Sequence, residues 1–269
     1  DEQCMYNIYD VTDQIRPGPN CLGMMLGNGF YIIPNTRYRK LITAYGNPKM
    51  ILMLRLTYED GSTETIISNQ EWKAAPGPIT YSSIFGGENY NATLEKEGWD
   101  LPGFDDRRWR NALTVPSSAI LIPERDYPLR VAEEIEPVSV TGKGNKYLYD
   151  FGQNASGIIR ITLSGKRGDT VRLTPSELLR DNLEPDQRAT GRPYYYVYVM
   201  KGEGNETWSP RFTYTGFRYV QVVGAVPDTV DSTAIKRHVQ TRNAGGVIIP
   251  LGVFFLVAGT RHLMLFRKQ

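Results

Sequence analysis

Three pairs of adjacent carboxylates are the candidate catalytic groups of this sequence. They are Glu59-Asp60, Asp105-Asp106 and Glu133-Glu134. Two carboxylates that face one glycosidic bond can hydrolyse it by acid and base catalysis. Neighbouring residues on a strand point to opposite faces, so none of these pairs forms such a dyad by itself. Aspartate in a turn commonly accepts hydrogen bonds from backbone amides, which favours a structural role for the first two pairs. The residues alone therefore predict no catalytic centre.

Other kinds of site find equally little support. The sequence has two histidines, His238 and His262, which leave little for a Ser-His-Asp mechanism. No C-x-x-C or paired-histidine spacing indicates zinc, and no P-loop or Rossmann fingerprint is present. Cys4 and Cys21 could form one disulfide, which the sequence cannot confirm. We expect no metal and no cofactor on this basis.

Composition indicates an all-β protein without a nucleic-acid partner. The 269 residues include 17 Tyr, 26 Gly and 17 Pro, which favour strands and turns. The formal net charge of +2 gives no reason to expect binding to nucleic acid or to an anionic membrane. Alternating apolar residues on either side of Asp60-Gly61 predict a hairpin over residues 50–68. Gly27-Asn28-Gly29 predicts a second hairpin turn, between strands in CLGMM and FYII.

Residues 77–109 form a long stretch without a helical or strand period, GPITYSSIFGGENYNATLEKEGWDLPGFDDRRW. A long irregular segment in a compact domain is usually functional or disordered, and its aromatic content argues against disorder. We interpret it as an ordered loop over a β-sandwich, with GFDDRRW as a tight turn that returns to a strand. Trp99, Phe104 and Trp109 then close the end of the core, since large aromatic residues mostly serve packing.

The second half continues with predicted strands, and the end of the chain differs in character. Residues 113–137 are proline-rich and are interpreted as a linker and lead-in. Strands are predicted at 138–140 and 146–149, in IIRITLSG and TVRLTPSE, over 194–200 and in TWSPRFTYTGFRYVQVVGA. The apolar run at 245–259 is shorter than the roughly 20 residues of a membrane helix and contains Pro250. A buried strand, a non-native end and a membrane anchor are the alternatives, and membrane association is the least favoured.

Several motifs occur in an order that resembles one enzyme family. They are YDVTDQIRPGPNCLGMMLGNGFY, the 77–109 stretch, YDFGQNASGIIRITLSGKRGDTV and WSPRFTYTGFRYVQVVG. Over residues 5–240 the sequence resembles the N-terminal region of bacterial α-L-rhamnosidases, glycoside hydrolase family 78. The resemblance implies two consecutive antiparallel β-sandwiches, the first jelly-roll-like and the second concanavalin-like. In the family both precede an (α/α)6 barrel, which holds the acid and base for inverting hydrolysis of terminal α-L-rhamnosyl residues.

The resemblance divides the chain into four parts. We expect a carbohydrate-binding-like sandwich over 1–115, incomplete at its start, a linker over 116–133, a concanavalin-like sandwich over 134–240 and an atypical tail over 241–269. The chain is expected to end before the barrel and to be inactive alone. After about residue 243 the resemblance stops, and a frameshift, misassembly or premature stop would explain the change. Periplasmic or extracellular location is expected for the family, although DEQCMYNIYDVTD does not resemble a signal peptide.

The resemblance also implies candidate binding residues. Some members bind rhamnose, with calcium, through an Asp-Asn pair whose positions match Ser82 and Ser83 here. Serine is a poorer calcium ligand than a carboxylate, and the family's Asp-Ala-Arg is Asn91-Ala92-Thr93. The carbohydrate-binding candidates, for rhamnose-containing glycans, are Ser82, Ser83, Glu88 and Asn28.

We expect the residues of the family signatures to have structural roles. Asp150, Gly152, Gln153 and Asn154 match the signature of the second sandwich, and Arg211, Tyr214 and Gly216 match its closing motif. These residues are expected to fix turns and strand ends or to form the face against the barrel. The leading hypothesis is a non-catalytic scaffold with weak sugar contact. A free-standing carbohydrate-binding module and a tail-anchored surface protein are the alternatives.

Overall fold

The computed structural model contains strands joined by turns and loops, with two short 3₁₀ segments at Thr12–Gln14 and Ala92–Leu94. It describes residues 3–38, 41–46, 48–125, 130–189, 193–224, 236–241 and 263–268. The strands of the first half are β1 (Gln3–Tyr6), β2 (Cys21–Met25), β3 (Ile32–Ile33), β4 (Thr43–Ala44), β5 (Met53–Thr57), β6 (Thr63–Ile67), β7 (Lys73–Pro76), β8 (Ile79–Ser83), β9 (Gly87–Asn91), β10 (Arg110–Asn111) and β11 (Ile120–Pro123). Those of the second half are β12 (Arg130–Ile135), β13 (Ser139–Lys143), β14 (Lys146–Ser164), β15 (Thr170–Ser176), β16 (Leu178–Leu179), β17 (Pro185–Asp186), β18 (Tyr196–Val199), β19 (Asn205–Trp208), β20 (Thr215–Val223), β21 (Lys236–Thr241) and β22 (Leu263–Lys268).

One large sheet organises the second half of the chain. Its strand order is β12-β21-β14-β20-β15-β18-β9-β8, and β13 and β19 both pair with β14. A second sheet has the order β10-β7-β22-β2, and four two-stranded pairs join β1 to β11, β3 to β4, β5 to β6 and β16 to β17. Most pairings are antiparallel, while β1 with β11 and β9 with β18 are parallel. The expected all-β fold with two sandwiches is confirmed.

Several local predictions agree with the strands observed. The hairpin around Asp60-Gly61 forms between β5 and β6, with Met53 opposite Ile67 and Thr57 opposite Thr63. Its alternation places Leu54 and Leu56 on the more buried face, as a period of two requires. The predicted strands around Gly144 form the antiparallel pair β13 and β14.

The hairpin expected at Gly27-Asn28-Gly29 is wrong. The flanking strands do not pair with each other: β2 pairs with β22, and β3 pairs with β4. The physical reason lies in contacts made by the expected turn itself. Asn28 is buried and donates from Nδ2 to the backbone oxygen of Ser82 at 2.7 Å. A Cβ atom at Gly27 would lie 2.2 Å from the ring of Phe212, so the absence of a side chain permits close packing.

The 77–109 stretch is more regular than predicted. Residues 79–91 form an antiparallel hairpin of β8 and β9, with Ser82 opposite Glu88 and Ser83 opposite Gly87. The expectation of a loop without strands is therefore wrong for this part. After it, the predicted tight turn is present: Trp109 N donates to Asp106 O at 2.8 Å, and β10 follows. Polar residues inside both strands conceal the strand pattern in the sequence.

The β8–β9 hairpin extends the large sheet, and its apolar residues join the core of the second half. Ile79, Tyr90 and Ala92 pack in one buried cluster with Leu173, Phe217 and other residues of β14, β15, β18 and β20. A smaller core lies around Leu26 and Trp72. The domain limits at 115 and 134 stay a prediction, and one sheet contains strands from both sides of them.

The tail is described in part. The apolar run at 245–259 lies outside the described residues, and so do the alternatives proposed for it. The backbone of β22 pairs with β2 and β7. Among the residues that the structure covers, no helix is long and apolar enough to cross a membrane.

A substitution at Gly87 tests whether the hairpin lies against β18 as described. Gly87 has φ of 88°, and a Cβ atom there would lie 2.1 Å from Tyr195 O. Gly168 has φ of 90° and no atom within 4 Å of the equivalent position. In both alanine variants the left-handed backbone conformation should lower the free energy of unfolding by about 1–2 kcal/mol. Gly87→Ala should cost roughly 1–3 kcal/mol more, because it also overpacks the contact.

The measurement is urea unfolding of the two variants and the parent chain. Gly168→Ala is the matched control, since it isolates the cost of the backbone angle. Equal losses of stability for the two variants would show that Gly87 does not approach Tyr195 closely.

Candidate functional site

The four predicted binding residues lie together around the β8–β9 hairpin. Ser82 and Glu88 are opposite each other, Ser83 follows on β8, and Asn28 bonds the Ser82 carbonyl. Their exposed fractions are 1% for Ser82, 0% for Ser83, 0% for Glu88 and 4% for Asn28. The four residues predicted as a site from the sequence are therefore neighbours in the structure. A sugar cannot reach their side chains without a movement of the surrounding structure.

Glu88 joins the hairpin to the chain just before β20. Its carboxylate accepts hydrogen bonds from the backbone amides of Arg211, at 3.2 and 3.3 Å, and of Phe212, at 3.3 Å. Burial raises the pKa of Glu88 to about 7, against a smaller opposing effect of the two amides and of the Arg211 charge. A carboxyl group with this pKa could act as a general acid, but here its oxygens are occupied by backbone amides.

A buried polar network lies close to this carboxylate. Tyr194 Oη contacts Tyr196 Oη at 2.9 Å and Thr213 Oγ1 at 2.7 Å, and Thr213 Oγ1 donates to Ile84 O at 3.3 Å. Burial raises the pKa of both tyrosines above its ordinary value, with a contribution from Glu88. These phenols therefore stay neutral and act as hydrogen-bonding groups.

The residues present do not fit a calcium ion. Calcium takes six to eight oxygen ligands, usually including carboxylates. Ser82 and Ser83 supply hydroxyl groups, and the carboxylate opposite Ser82, that of Glu88, is bonded to two amides. In the described parts of the chain, no group of three or more His, Cys, Asp or Glu side chains is placed to hold a metal.

Arg37 is a contact residue that the sequence did not reveal. Its guanidinium lies 4.2 Å from the ring centroid of Tyr81 and 3.6 Å from that of Tyr195. It donates to Gly86 O at 3.1 Å, to Tyr195 O at 2.8 Å and to the Asn89 side chain. Arginine suits such a position because its planar group can stack and donate at once. Arg37 thereby fastens the segment after β3 to both the hairpin and Tyr195, the residue before β18.

The aromatic residues of the first signature form a small core of their own. Phe104 and Trp109 are in edge contact, with ring centroids 5.4 Å apart, and both pack with Trp99, Cys21 and Ala75. This cluster is separate from the buried residues around Glu88. The arrangement agrees with a packing role for the three aromatic residues.

The second signature forms an irregularity within β14. The register against β20 shifts between Asp150 and Ala155, and Gly152 has φ of 76°. Asp150 accepts from Gly152 N at 2.7 Å and from Arg218 Nε and Nη2 at 2.8 and 2.9 Å. The hydrogen bonds from Arg218 lower the pKa of Asp150.

Further signature residues lie around this irregularity. Gln153 is exposed within the shifted segment, and Asn154 Nδ2 donates to Glu177 Oε1 at 3.2 Å. Of the closing signature, the amide of Arg211 bonds Glu88, while Tyr214 and Gly216 line a cleft beside Phe85. The two signatures therefore approach each other near Glu177.

One carboxylate of each adjacent pair has a structural partner. Asp60 accepts from Ser62 N and Oγ, and Asp105 accepts from Arg107 Nε and Nη2 at 2.7 Å. The pKa of each of these aspartates is lowered by its side-chain hydrogen bonds. Glu134 is paired with Arg160. Low pKa values are the opposite of what a general acid requires.

The two cysteines are free thiols. Cys4 lies on β1 and Cys21 on β2. Burial raises the pKa of both thiols to about 11, which keeps them protonated and poorly reactive. The single disulfide that the sequence allowed is therefore not formed.

Family sequence models match two adjacent parts of the chain. The α-L-rhamnosidase N-terminal domain matches residues 1–133, and the bacterial α-L-rhamnosidase concanavalin-like domain matches residues 141–241. Together the two matches identify the chain as a pair of β-domains of a carbohydrate-active enzyme. The chain belongs to the bacterial α-L-rhamnosidase family, glycoside hydrolase family 78, and corresponds to its N-terminal and concanavalin-like domains.

Individual relatives agree with this membership. An α-L-rhamnosidase of Formosa agariphila is 34% identical over 248 residues, which are 88% of this chain and 26% of the relative. One from Streptomyces avermitilis is 37% identical over 247 residues, again 88% of this chain and 24% of the relative. The chain thus spans about a quarter of the length of these curated relatives.

Solved structures give the same result. The α-L-rhamnosidase from Dictyoglumus thermophilum superposes with a TM-score of 0.66 at 36% identity, covering 71% of this chain and 22% of that one. The Streptomyces avermitilis α-L-rhamnosidase complexed with L-rhamnose gives a TM-score of 0.67 at 36% identity, covering 72% and 19%.

The pH dependence of stability tests the environment of Glu88. The folded pKa of about 7 lies above the ordinary value of 4.5, so the folded chain keeps a proton that the unfolded chain releases between these values. The stabilising effect of that proton is complete below about pH 4.5 and is lost as the pH rises through about 7. This group should lower the free energy of unfolding by roughly 3 kcal/mol across the interval.

Glu88→Gln should remove this contribution, because glutamine does not titrate. Urea unfolding at several pH values between about 4.5 and 8 measures the slope for each variant. The exposed Glu59→Gln serves as the control and should keep the slope of the parent chain. An unchanged slope in Glu88→Gln would contradict the buried environment described for this carboxylate.

Proposed function

We propose that this chain is an accessory, non-catalytic part of an α-L-rhamnosidase-like glycoside hydrolase. Its role is to form a rigid β-scaffold, with weak carbohydrate contact at most. The parent reaction is inverting hydrolysis of terminal α-L-rhamnosyl residues, which uses one carboxylic acid and one carboxylate separated by room for a water molecule. In this proposal the acid and the base belong to a different part of the enzyme.

The observation that carries the proposal is the position of Glu88. This carboxyl group has a pKa suited to proton transfer, yet it is completely buried and bonded to the amides of Arg211 and Phe212. A general acid must lie within hydrogen-bonding reach of the atom that it protonates. Glu88 instead holds the β8–β9 hairpin against the segment before β20, which is a scaffold role.

A free-standing carbohydrate-binding module is the second candidate. The solved relative from Streptomyces avermitilis is complexed with L-rhamnose, which supports carbohydrate as the ligand class for the family. Burial of Ser82 and Ser83 argues against a site formed by these two side chains. A module function would therefore need a different surface of this chain.

An activity assay tests the non-catalytic role. The purified 269-residue chain should give no release of the aryl group from an aryl α-L-rhamnoside above the rate without protein. The physical reason is that the proposal places the acid and the base in another part of the enzyme, while Glu88 is bonded to amides and Asp105 and Glu134 are paired with arginines. A full-length α-L-rhamnosidase serves as the positive control under the same conditions. Turnover that co-purifies with the folded chain and is lost on its unfolding would overturn the proposal.

A further inference from the structure

The strand β22, close to the end of the chain, lies inside a sheet and not at its edge. It pairs antiparallel with β2 on one side and with β7 on the other. Three of its residues are paired on both sides: Met264 with Met25 and Ala75, Leu265 with Met24 and Ala74, and Phe266 with Gly23 and Lys73. In the strand order of the described sheet, β22 is therefore the strand that joins β2 to β7.

One face of this sheet is covered by the small aromatic core of the first half. Cys21 on β2 and Ala75 on β7 pack in the same cluster as Trp99 and Trp109. A Cβ atom at Gly23 would lie 2.6 Å from the ring of Trp99, so this ring lies directly against the backbone of β2. Both strands that flank β22 therefore contact the aromatic core on this face.

The other face is covered by the core around Trp72. Leu22 and Met24 on β2 and Ala74 on β7 pack in that cluster, in which Trp72 is completely buried. Successive residues of a strand point to opposite faces, so the two clusters lie on the two sides of one sheet. The space between β2 and β7 that β22 fills, called the slot below, therefore has an apolar wall on each side.

The sequence of β22 is that of a strand covered on both faces. It reads Leu-Met-Leu-Phe-Arg-Lys, with four consecutive apolar residues at 263–266 and no proline. A strand with one solvated face alternates apolar and polar residues, whereas a short continuous apolar run is typical of a strand buried on both faces. Arg267 and Lys268 pair with β2 and lie beyond the end of the pairing with β7. The residues paired on both sides thus all belong to the apolar part.

The backbone of β2 and β7 gives the slot its affinity for a strand. Each of these strands presents N–H and C=O groups along the edge that faces β22, and such groups require hydrogen-bond partners. Leaving a buried backbone group without a partner costs about 1–3 kcal/mol. A strand that enters the slot forms hydrogen bonds along both of its edges, whereas a strand added to the outside of a sheet forms them along one edge only.

We propose that the slot is a strand-acceptor site, which binds an extended apolar peptide through its backbone and has residues 263–268 of this chain as its occupant. Recognition of this kind is β-augmentation, in which main-chain hydrogen bonds give affinity and alternate side chains give specificity. The slot recognises the segment itself, so the same residues bind when they are supplied as a separate peptide. Proline is excluded, because it lacks a backbone N–H. The inference is independent of the accessory role proposed above.

The test uses the full chain with Leu265→Pro, which should release β22 because proline is not tolerated in a central strand. A fluorescent peptide with the sequence of residues 262–269 is titrated with each chain, and its anisotropy is measured. It should bind the variant at least about tenfold more tightly than the parent chain, where the tethered segment competes at a high effective concentration. Leu113→Pro is the matched control, since Leu113 is 90% exposed and lies outside the strands, and it should behave as the parent chain does. The same peptide with the Leu265→Pro substitution should not bind.

Amide hydrogen exchange of the parent chain supplies a second measurement, which does not depend on the folding of any variant. The amides of Met264, Leu265 and Phe266 should exchange more than about a hundredfold more slowly than in the free peptide. Exchange at the rate of the free peptide, no binding of the peptide to a folded Leu265→Pro chain, equal affinity for that chain and the parent, or equal binding of the two peptides would each overturn the proposal. None of these outcomes affects the non-catalytic role, which depends on turnover.

Discussion

The structure depends on the bond between the carboxylate of Glu88 and the amides of Arg211 and Phe212. These groups come from the two parts of the chain that separate family models recognise. The carboxylate is completely buried, so its desolvation is offset in part by the two amides and by the Arg211 charge. Around it, Arg37 stacks on Tyr81 and Tyr195 and bonds the backbone beside the hairpin. These contacts place the hairpin at the edge of the large sheet.

Local patterns predicted the strands that pair with near neighbours. The alternation around Asp60-Gly61 and the residues on either side of Gly144 were sufficient, because each hairpin is specified by its own turn and apolar face. The β8–β9 hairpin was missed, since its buried residues include the polar Ser82, Ser83 and Glu88. Its strand partner, β18, is distant in the chain, and no local pattern carries that information. The expected turn at Asn28 failed for the same reason, because its contact is with Ser82.

The sequence identified four residues that are neighbours in the structure, but it did not predict that their side chains are buried. The resemblance to a family grouped Asn28, Ser82, Ser83 and Glu88 as one site. The structure places them close together with their side chains buried. Burial could not be predicted for four polar residues, since polar side chains are usually exposed. The cleft beside Phe85 carried no signal of its own in the sequence, because the proximity of its residues arises from the fold. The tyrosine and glycine of the closing signature were the one available clue to that region.

The parallel pairing of β9 with β18 has a consequence for how the chain reaches its fold. Asn89 of β9 pairs with Val197 of β18. The sheet edge to which the hairpin binds therefore does not exist until β18 has been synthesised. At a synthesis rate of about 5–20 residues per second, the hairpin waits on the order of ten seconds for its partner. Until then Ile79 and Tyr90 lack the second-half residues with which they pack in the finished core. The hairpin of the segment matched as an N-terminal domain therefore completes its core only with strands of the second half, and the two sandwiches are expected to be inherited together.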